Sequence, residues 1–386
     1  MGCNQNDFTK IIANIGATVV PWAFAQPYGE GNPWLVLSDH PEAVNDTVPP
    51  SPPYVLYRCK ITIPASGQIP IRCFLWHLND TGSDKRIWIA AQIVAPSGGV
   101  EGYWSNHNQI GGIGNAQPLG LCISKAQLFG TLDVAPDASG TIPATGPGKL
   151  VGETVKMRQH PDDEHGELYG ALHEFVVSGP PEATIYLWTC LSNDDSVGTI
   201  GSTVIPSSDG HHRGSWPYAN IECFSQTIYP ITAFGPVWYS LGICDLPFWG
   251  FLPPDVQQFL KRPDDTYGTV ANKGLFGANC DYKVVVVAPT PLYWSGYLRA
   301  RNTGEQKYYQ GAAVDQCNTS DPQKGVPPIK YLSAAQREGV QLACQGQIPP
   351  GQSILTFPNA TGGAATLPVD LLLGFSSTYP VPDPVV

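Results

Sequence analysis

Proline and glycine punctuate this chain so densely that they limit it to short regular elements. There are 38 prolines and 41 glycines among 386 residues, and charged residues amount to only 14%. Proline lacks a backbone donor, glycine costs conformational entropy in a helix or strand, and the helix formers Lys, Glu and Met are scarce. Short strands joined by tight turns suit this composition. The sequence therefore predicts an all-β protein.

An internal repeat indicates how these strands are organised. Residues 57–94 and 282–314 both begin with Tyr followed by Arg or Lys and a β-branched strand. Both then pass a proline-containing bend, a second strand, an Asn- and Gly-containing turn and a third strand. In a second correspondence, residues 172–192 and 354–376 each place two apolar runs around a turn. Because an antiparallel sheet must bury one face, the repeat predicts two tandem, related β-sandwich (jelly-roll-like) units.

The repeat also sets the expected boundaries. We expect an N-terminal extended segment at 1–50, a first β-sandwich at 51–200, a connecting segment rich in aromatics and proline at 201–274, and a second β-sandwich at 275–386. Within the connecting segment, residues 255–262 follow two prolines and are the best candidate for a short helix.

Charge and cysteine content bear on partners and location. The formal net charge is −11 with no basic run, which argues against a nucleic-acid partner. Ten cysteines, an even number without a Cys-x-x-Cys pair, fit an extracellular or cell-surface protein. No transmembrane segment is expected, because no run approaches the ~20 apolar residues of a span. Residues 11–25 end like a leader cleavage site, but no positively charged region precedes them. The sequence therefore leaves open whether these residues are a leader.

Several short motifs follow one another in a characteristic order. They lie at residues 38–44, 78–79, 146–148, 211–216, 272–277 and 348–351. In this order the chain resembles a family of β-rich surface proteins of cyanobacteria and Gram-positive bacteria that has no established activity. The resemblance implies a β-rich architecture and surface exposure.

The densest group of possible metal ligands is an acidic, imidazole-containing segment. It consists of His160, Asp162, Asp163 and His165. Carboxylates suit calcium and imidazoles suit zinc, so a divalent cation is a possible cofactor here. The alternative is a solvated acidic turn, and otherwise no cofactor is expected.

A second polar group is His211-His212-Arg213. Adjacent histidines point apart on a strand and bind one metal only if the backbone turns. The favoured alternative is structural: Arg213 bridges two loops through carboxylate or carbonyl contacts.

Aromatic side chains among Gly and Pro form a candidate interface or glycan-binding surface. They are Phe234, Trp238, Tyr239, Phe248, Trp249 and Phe251. Such side chains stack on sugar rings or anchor a partner subunit. The alternative is an apolar plug between the two halves.

Two disulfide bonds are predicted from position. If residues 57–80 form a hairpin that turns at Ser66, Cys59 and Cys73 lie opposite each other. Cys317 and Cys344 would close the insertion between them. Two buried thiols on one face are the alternative for the first pair.

No catalytic template occurs: a Gly-x-Ser-x-Gly elbow, a His-Glu-x-x-His helix and a phosphate-binding loop are all missing from the sequence, and no enzyme activity is predicted. The leading hypothesis is a structural or adhesive surface protein that self-assembles into a homomeric extracellular filament or sheath. An extracellular carbohydrate-binding module, with polysaccharide as partner, is the alternative. A viral shell subunit and a polysaccharide-active enzyme follow.

Overall fold

The computed structural model describes thirteen stretches of the chain. They are residues 10–11, 17–39, 42–45, 53–146, 148–159, 166–194, 204–205, 213–243, 272, 275–300, 312–314, 339–361 and 369–381. The elements of the N-terminal half are β1 (Lys10–Ile11), β2 (Thr18–Val19), β3 (Trp22–Pro27), β4 (Trp34–Ser38), β5 (Ala43–Asn45), β6 (Tyr54–Thr62), β7 (Gln68–Asp80), β8 (Lys85–Val94), β9 (Gly102–Ile113), α1 (Ala116–Phe129), β10 (Asp133–Val134), β11 (Gly140–Ile142), β12 (Lys149–Met157), β13 (Leu168–Ser178) and β14 (Thr184–Ser192). The remaining strands are β15 (Arg213–Trp216), β16 (Asn220–Ser225), β17 (Val237–Ile243), β18 (Asn279–Ala288), β19 (Leu292–Ala300), β20 (Ala312–Val314), β21 (Gly339–Ile348), β22 (Gly351–Thr361) and β23 (Val369–Ser376). The all-β prediction is confirmed.

The first β-sandwich packs a four-stranded sheet against an eight-stranded sheet. The four-stranded sheet runs β12-β8-β14-β6, and the eight-stranded sheet runs β10-β9-β13-β7-β4-β15 with β11 on β9 and β5 on β7. The successive strands β6, β7, β8 and β9 alternate between the two sheets. The chain then returns to place β13 beside β7 and β14 between β6 and β8. This wrapping of the chain over two sheets is a jelly-roll arrangement.

The second β-sandwich consists of a five-stranded sheet, β20-β22-β18-β16-β3, and a six-stranded sheet, β1-β21-β19-β23-β17-β2. Strand β18 shows how the sequence positions its core. Every second side chain from Cys280 to Ala288 is buried, and the residues between them are partly exposed. Because side chains alternate across a strand, this spacing turns one face of the sheet inward.

Strand β7 is apolar at consecutive positions because both of its faces are covered. Cys73 and Leu75 belong to the core between the two sheets of the first sandwich. Phe74 and Trp76 belong to a second core, which also contains Val284 and other side chains of the second sandwich. A strand that is buried on both sides needs an apolar residue at nearly every position.

The two sandwiches repeat one topology. Strands β6, β7 and β8 occupy one sheet, the facing sheet and the first sheet again, and β18, β19 and β20 do the same in the second sandwich. This confirms the predicted relation between residues 57–94 and 282–314.

The second predicted correspondence is displaced by one strand. Strand β13 pairs with β7 as β21 pairs with β19, and β14 lies between β6 and β8 as β22 lies between β18 and β20. The counterpart of 172–192 is therefore 339–361, and residues 354–376 reach one strand too far. Two apolar runs around a turn describe any hairpin, and only the pairing partners distinguish one hairpin from another.

Several described strands outside the repeats also lie in the sheets. From residues 1–50, β3 is at an edge of the five-stranded sheet and β4 is in the eight-stranded sheet. From residues 201–274, β15 joins the first sandwich, whereas β16 and β17 join the second. These strands differ from the expected separate N-terminal and connecting segments. The reason is that backbone groups of extended chain need partners, which sheet edges offer.

Helix α1, which the sequence analysis did not predict, packs between the two sandwiches. It contacts β9 and β13 on one side and β20 and β22 on the other. Ile123 is fully buried, and Gln127 Nε2 donates to Asn279 Oδ1 at 2.8 Å. The helix ends at Gly130, whose φ of 61° closes the last turn. The helix expected at 255–262 lies outside the described residues.

Candidate functional site

A loop between β16 and β17, residues 226–236, is fixed at its base and carries no charged side chain. We call it the apolar loop. Ile228 is buried; its N–H donates to Val285 O at 2.8 Å and its carbonyl accepts from the N–H of Val287 at 2.9 Å. Near the tip, the N–H of Gly235 donates to Thr232 O at 3.1 Å. Gly235 has a φ of 123°, a backbone conformation that residues other than glycine rarely adopt.

The apolar loop presents three large side chains to solvent. Their exposed fractions are 62% for Tyr229, 68% for Ile231 and 99% for Phe234. Single exposed apolar residues are ordinary, but three within six positions of an anchored loop are typical of a contact surface. Burying each against a partner contributes about 1.5–3 kcal/mol.

The structure separates the predicted aromatic surface into three parts. Phe234 is exposed. Trp238 lies on β17 over Gly374, with its ring centroid 5.8 Å from that of Tyr297. Tyr239 packs at 5.9 Å, edge to face, on Phe375, and its hydroxyl donates to Tyr229 O at 3.3 Å. Trp238 and Tyr239 therefore support the sheet beneath the apolar loop. The other three, Phe248, Trp249 and Phe251, lie outside the described residues.

The predicted metal ligands His160, Asp162, Asp163 and His165 all lie outside the described residues, as do His211 and His212. Within the part of the chain that the structure describes, no group of three or more His, Cys, Asp or Glu side chains is placed to hold a metal ion. The cation site stays a prediction.

Arg213 has the structural role that the sequence analysis favoured. Its side chain is fully buried, and Nη1 donates to Leu56 O at 2.7 Å and to Ile205 O at 2.8 Å. Leu56 belongs to β6, so Arg213 on β15 ties the eight-stranded sheet to the four-stranded sheet across the sandwich.

A buried hydroxyl–imidazole cluster escaped the sequence analysis. Ser38 Oγ lies 2.8 Å from His77 Nε2 and 2.7 Å from Thr189 Oγ1. A serine beside an imidazole is the pairing of a nucleophile with its base. However, Ser38 and His77 have no exposed surface, so in this arrangement the hydroxyl joins two sheets and meets no substrate. The three residues come from separate strands, and no local pattern marks them.

The predicted bond between Cys59 and Cys73 is wrong, because both residues carry buried thiols. Strands β6 and β7 do not form a hairpin: Cys59 lies opposite Leu187 in one sheet, and Cys73 lies opposite His173 in the other. Facing sheets are about 10 Å apart, too far for a disulfide. Both residues are buried thiols, as the alternative expected, but they lie on two facing sheets and not on one face.

For the second predicted bond, Cys344 on β21 is disulfide-bonded, whereas Cys317 lies outside the described residues. Their pairing therefore stays a prediction.

Within the described part of the chain, the structure contains no helix with the length and apolar character of a membrane span.

The fold defines a protein of two related jelly-roll sandwiches. No protein-family model and no curated protein matches the chain. Among solved structures, the CUB1-EGF-CUB2 domain of human MASP-1/3 aligns at 9% identity over 83% of this chain and 99% of that chain. Its TM-score is 0.18, and this likeness carries no argument about fold or function.

Proposed function

We propose that this protein is a structural or adhesive subunit that self-assembles into a homomeric extracellular filament or sheath. The observation that carries the proposal is Phe234, 99% exposed at the tip of the anchored apolar loop. Because the backbone of the loop is already fixed, binding through this side chain has little loop ordering to offset. Aromatic residues in such positions anchor protein interfaces.

A second copy of the same chain is the partner we favour. The two sandwiches share a topology but differ in their added strands, so one end of a subunit is similar but not identical to the other. A contact between unlike surfaces of identical subunits is head-to-tail and repeats without limit unless it closes into a ring. The low charge content of 14% agrees with the depletion of charge at interface cores.

A closed shell is a second candidate. The strand order of the first sandwich is a jelly roll, an architecture that serves both viral capsid subunits and lectins. The net charge of −11 weighs against a shell that packages nucleic acid, because such a shell needs clustered positive charge. Electron microscopy distinguishes a shell from a filament directly.

The experiment that tests the role of the apolar loop compares two serine variants. Phe234→Ser removes the exposed ring, whereas Tyr103→Ser removes a ring that is 57% exposed on β9 of the first sandwich. Both should fold, because neither ring is buried. We expect Phe234→Ser to weaken self-association by at least about tenfold and Tyr103→Ser to leave it unchanged, as measured by light scattering over a concentration series. Equal effects of the two variants would contradict the assignment.

A further inference from the structure

Two buried histidines form a hydrogen-bonded chain inside the first sandwich. His107 Nε2 on β9 lies 3.0 Å from His173 Nδ1 on β13. Tyr169 Oη lies 3.1 Å from His173 Nε2, and His107 Nδ1 lies 3.1 Å from the carbonyl oxygen of Asp137. The exposed fraction is 0% for His107 and 5% for His173.

One set of neutral tautomers satisfies all three contacts. The Asp137 carbonyl only accepts, so His107 carries its proton on Nδ1 and accepts at Nε2. His173 then donates from Nδ1, and its Nε2 accepts from the Tyr169 hydroxyl. A proton added to His107 Nε2 would bury a charge. It would also either set two N–H donors against each other or force His173 to move its proton to Nε2 and accept at Nδ1.

The series of hydrogen bonds ends at residues 133–142, a segment that covers His107. The N–H of His107 donates to Ala138 O at 3.1 Å, and the N–H of Ala135 donates to His107 O at 2.9 Å. Among the described strands, β10 and β11 in this segment pair with β9 alone. Several of its residues are exposed, including Val134 at 72%. At its end, Ile142 is fully buried in the core of the first sandwich. Residues 133–139, in contrast, are held mainly by β9 and by the side chain of His107.

We propose that the hydrogen-bonded pair of His107 and His173 is an acid-sensitive catch, which holds residues 133–139 on β9 in neutral solution and releases them in acid. Release exposes His107 to water, where it takes up a proton, and the protonated ring no longer accepts the hydrogen bond from His173. Rebinding of the segment requires loss of that proton, so the step is reversible.

The groups around the pair favour its neutral form. Burial lowers the pKa of His107, although the carbonyl and carboxylate of Asp137 partly oppose this. Burial and the neighbouring His107 lower the pKa of His173 to about 3. Tyr169 and Cys73, which lies opposite His173 on β7, have raised pKa values through burial and stay uncharged. The facing sheet contributes Tyr57 and Cys59 to the same core, and neither group is charged in acid.

The sign follows from proton uptake. A solvated histidine titrates near 6.5, whereas burial lowers the pKa of His107 below that value. Between the lowered pKa of His107 and pH 6.5, the opened form binds a proton that the closed form excludes. The opening equilibrium therefore rises as the pH falls, by at most about tenfold per pH unit for each proton taken up.

Hydrogen exchange on the whole protein tests the proposal. Protection factors, corrected for the intrinsic exchange rate, are compared at about pH 7.5 and about pH 5 for residues 133–139 and for β14 in the opposite sheet. We expect 133–139 to lose protection by at least about tenfold in acid and β14 to keep it. Unchanged protection of 133–139, or an equal loss in β14, overturns the proposal.

The variant His107→Gln removes the titrating ring and should make the protection of 133–139 independent of pH. A persistent acid response in this variant would assign it to another group and overturn the proposal. Since the variant removes a buried contact, exchange of the imidazole C2 proton in the unmodified protein provides a second measurement. We expect the pKa of His107 to lie below 6.5 because the ring is buried, and titration at that ordinary value would also overturn the proposal.

Discussion

The Nη1 atom of Arg213 donates a 2.7 Å hydrogen bond to the carbonyl oxygen of Leu56, which joins the two sheets of the first sandwich from within. The same Nη1 atom also donates to Ile205 O at 2.8 Å, and the side chain of lysine ends one atom short of this position. We expect Arg213→Lys to lower the free energy of unfolding by about 2–4 kcal/mol. Arg158→Lys is the matched control at an exposed position and should change it by less than about 0.5 kcal/mol. Chemical denaturation of the two variants measures the difference, and equal values would contradict it.

Arg72 connects the two sandwiches. On β7 of the first sandwich, its Nε lies 2.6 Å from Glu174 Oε1, while Nη1 donates to Asn220 Oδ1 at 3.2 Å and to Gly277 O at 3.1 Å. Arg72→Met keeps the apolar stem but loses the contacts to Asn220 and Gly277. We expect the variant to unfold at a lower temperature, with the two sandwiches melting in separate steps. Differential scanning calorimetry checks this; one transition at the original temperature would show that Arg72 does not couple them.

The described thiols should resist modification in the native protein. They belong to Cys59, Cys73, Cys190, Cys223 and Cys280, all of which are buried. Burial raises the pKa of Cys73 and of Cys190, and the thiolate is the reactive form. We expect alkylation without reductant to label these five residues only after denaturation, as read by peptide mapping. Rapid labelling of Cys73 in the native protein would contradict its position in the core.

Two adjacent glycines on β9 allow two reasons for a glycine to be compared: a lack of space for a Cβ atom and a positive φ. Both have positive φ, 131° at Gly111 and 146° at Gly112. A Cβ on Gly111 would lie 2.2 Å from Gly170 O, whereas nothing lies within 4 Å of a Cβ on Gly112. Gly111→Ala should therefore destabilise the protein more than Gly112→Ala, by at least about 1 kcal/mol. If thermal denaturation showed equal losses of stability for the two variants, the positive φ alone would account for the destabilisation.

The sequence predicts those features of the fold that depend on local patterns of residues. Composition and the strands around Tyr57 and Tyr282 suffice for the fold class and for the first repeat, because alternating apolar residues directly report strands with one buried face. The same patterns misplace Cys59 and Cys73, since a turn at Ser66 joins strands whether they share a sheet or face each other. Helix α1 had local signals in Asn115 before it and Gly130 after it, which the abundance of glycine elsewhere obscured.

The candidate sites likewise include features that a local pattern predicts and features that depend on distant strands. The exposure of Phe234 is predictable because an aromatic residue among Gly and Pro tends to lie in a surface loop. Trp238, only four residues later, belongs to a strand, and its position over Gly374 depends on a partner strand more than 100 residues away in the sequence. The chain of Tyr169, His173 and His107 likewise requires the register of two paired strands, which no single segment of the sequence encodes.

The proposal of a self-assembling subunit is tested most directly by the mass of the purified protein across micromolar concentrations, with electron microscopy of the same samples. The account predicts particles much heavier than the 41.5 kDa chain, with a repeating contact that includes the apolar loop and buries more than about 1,000 Å². A particle of 41.5 kDa at every concentration, with Phe234 still exposed, would contradict it and would favour the glycan-binding alternative.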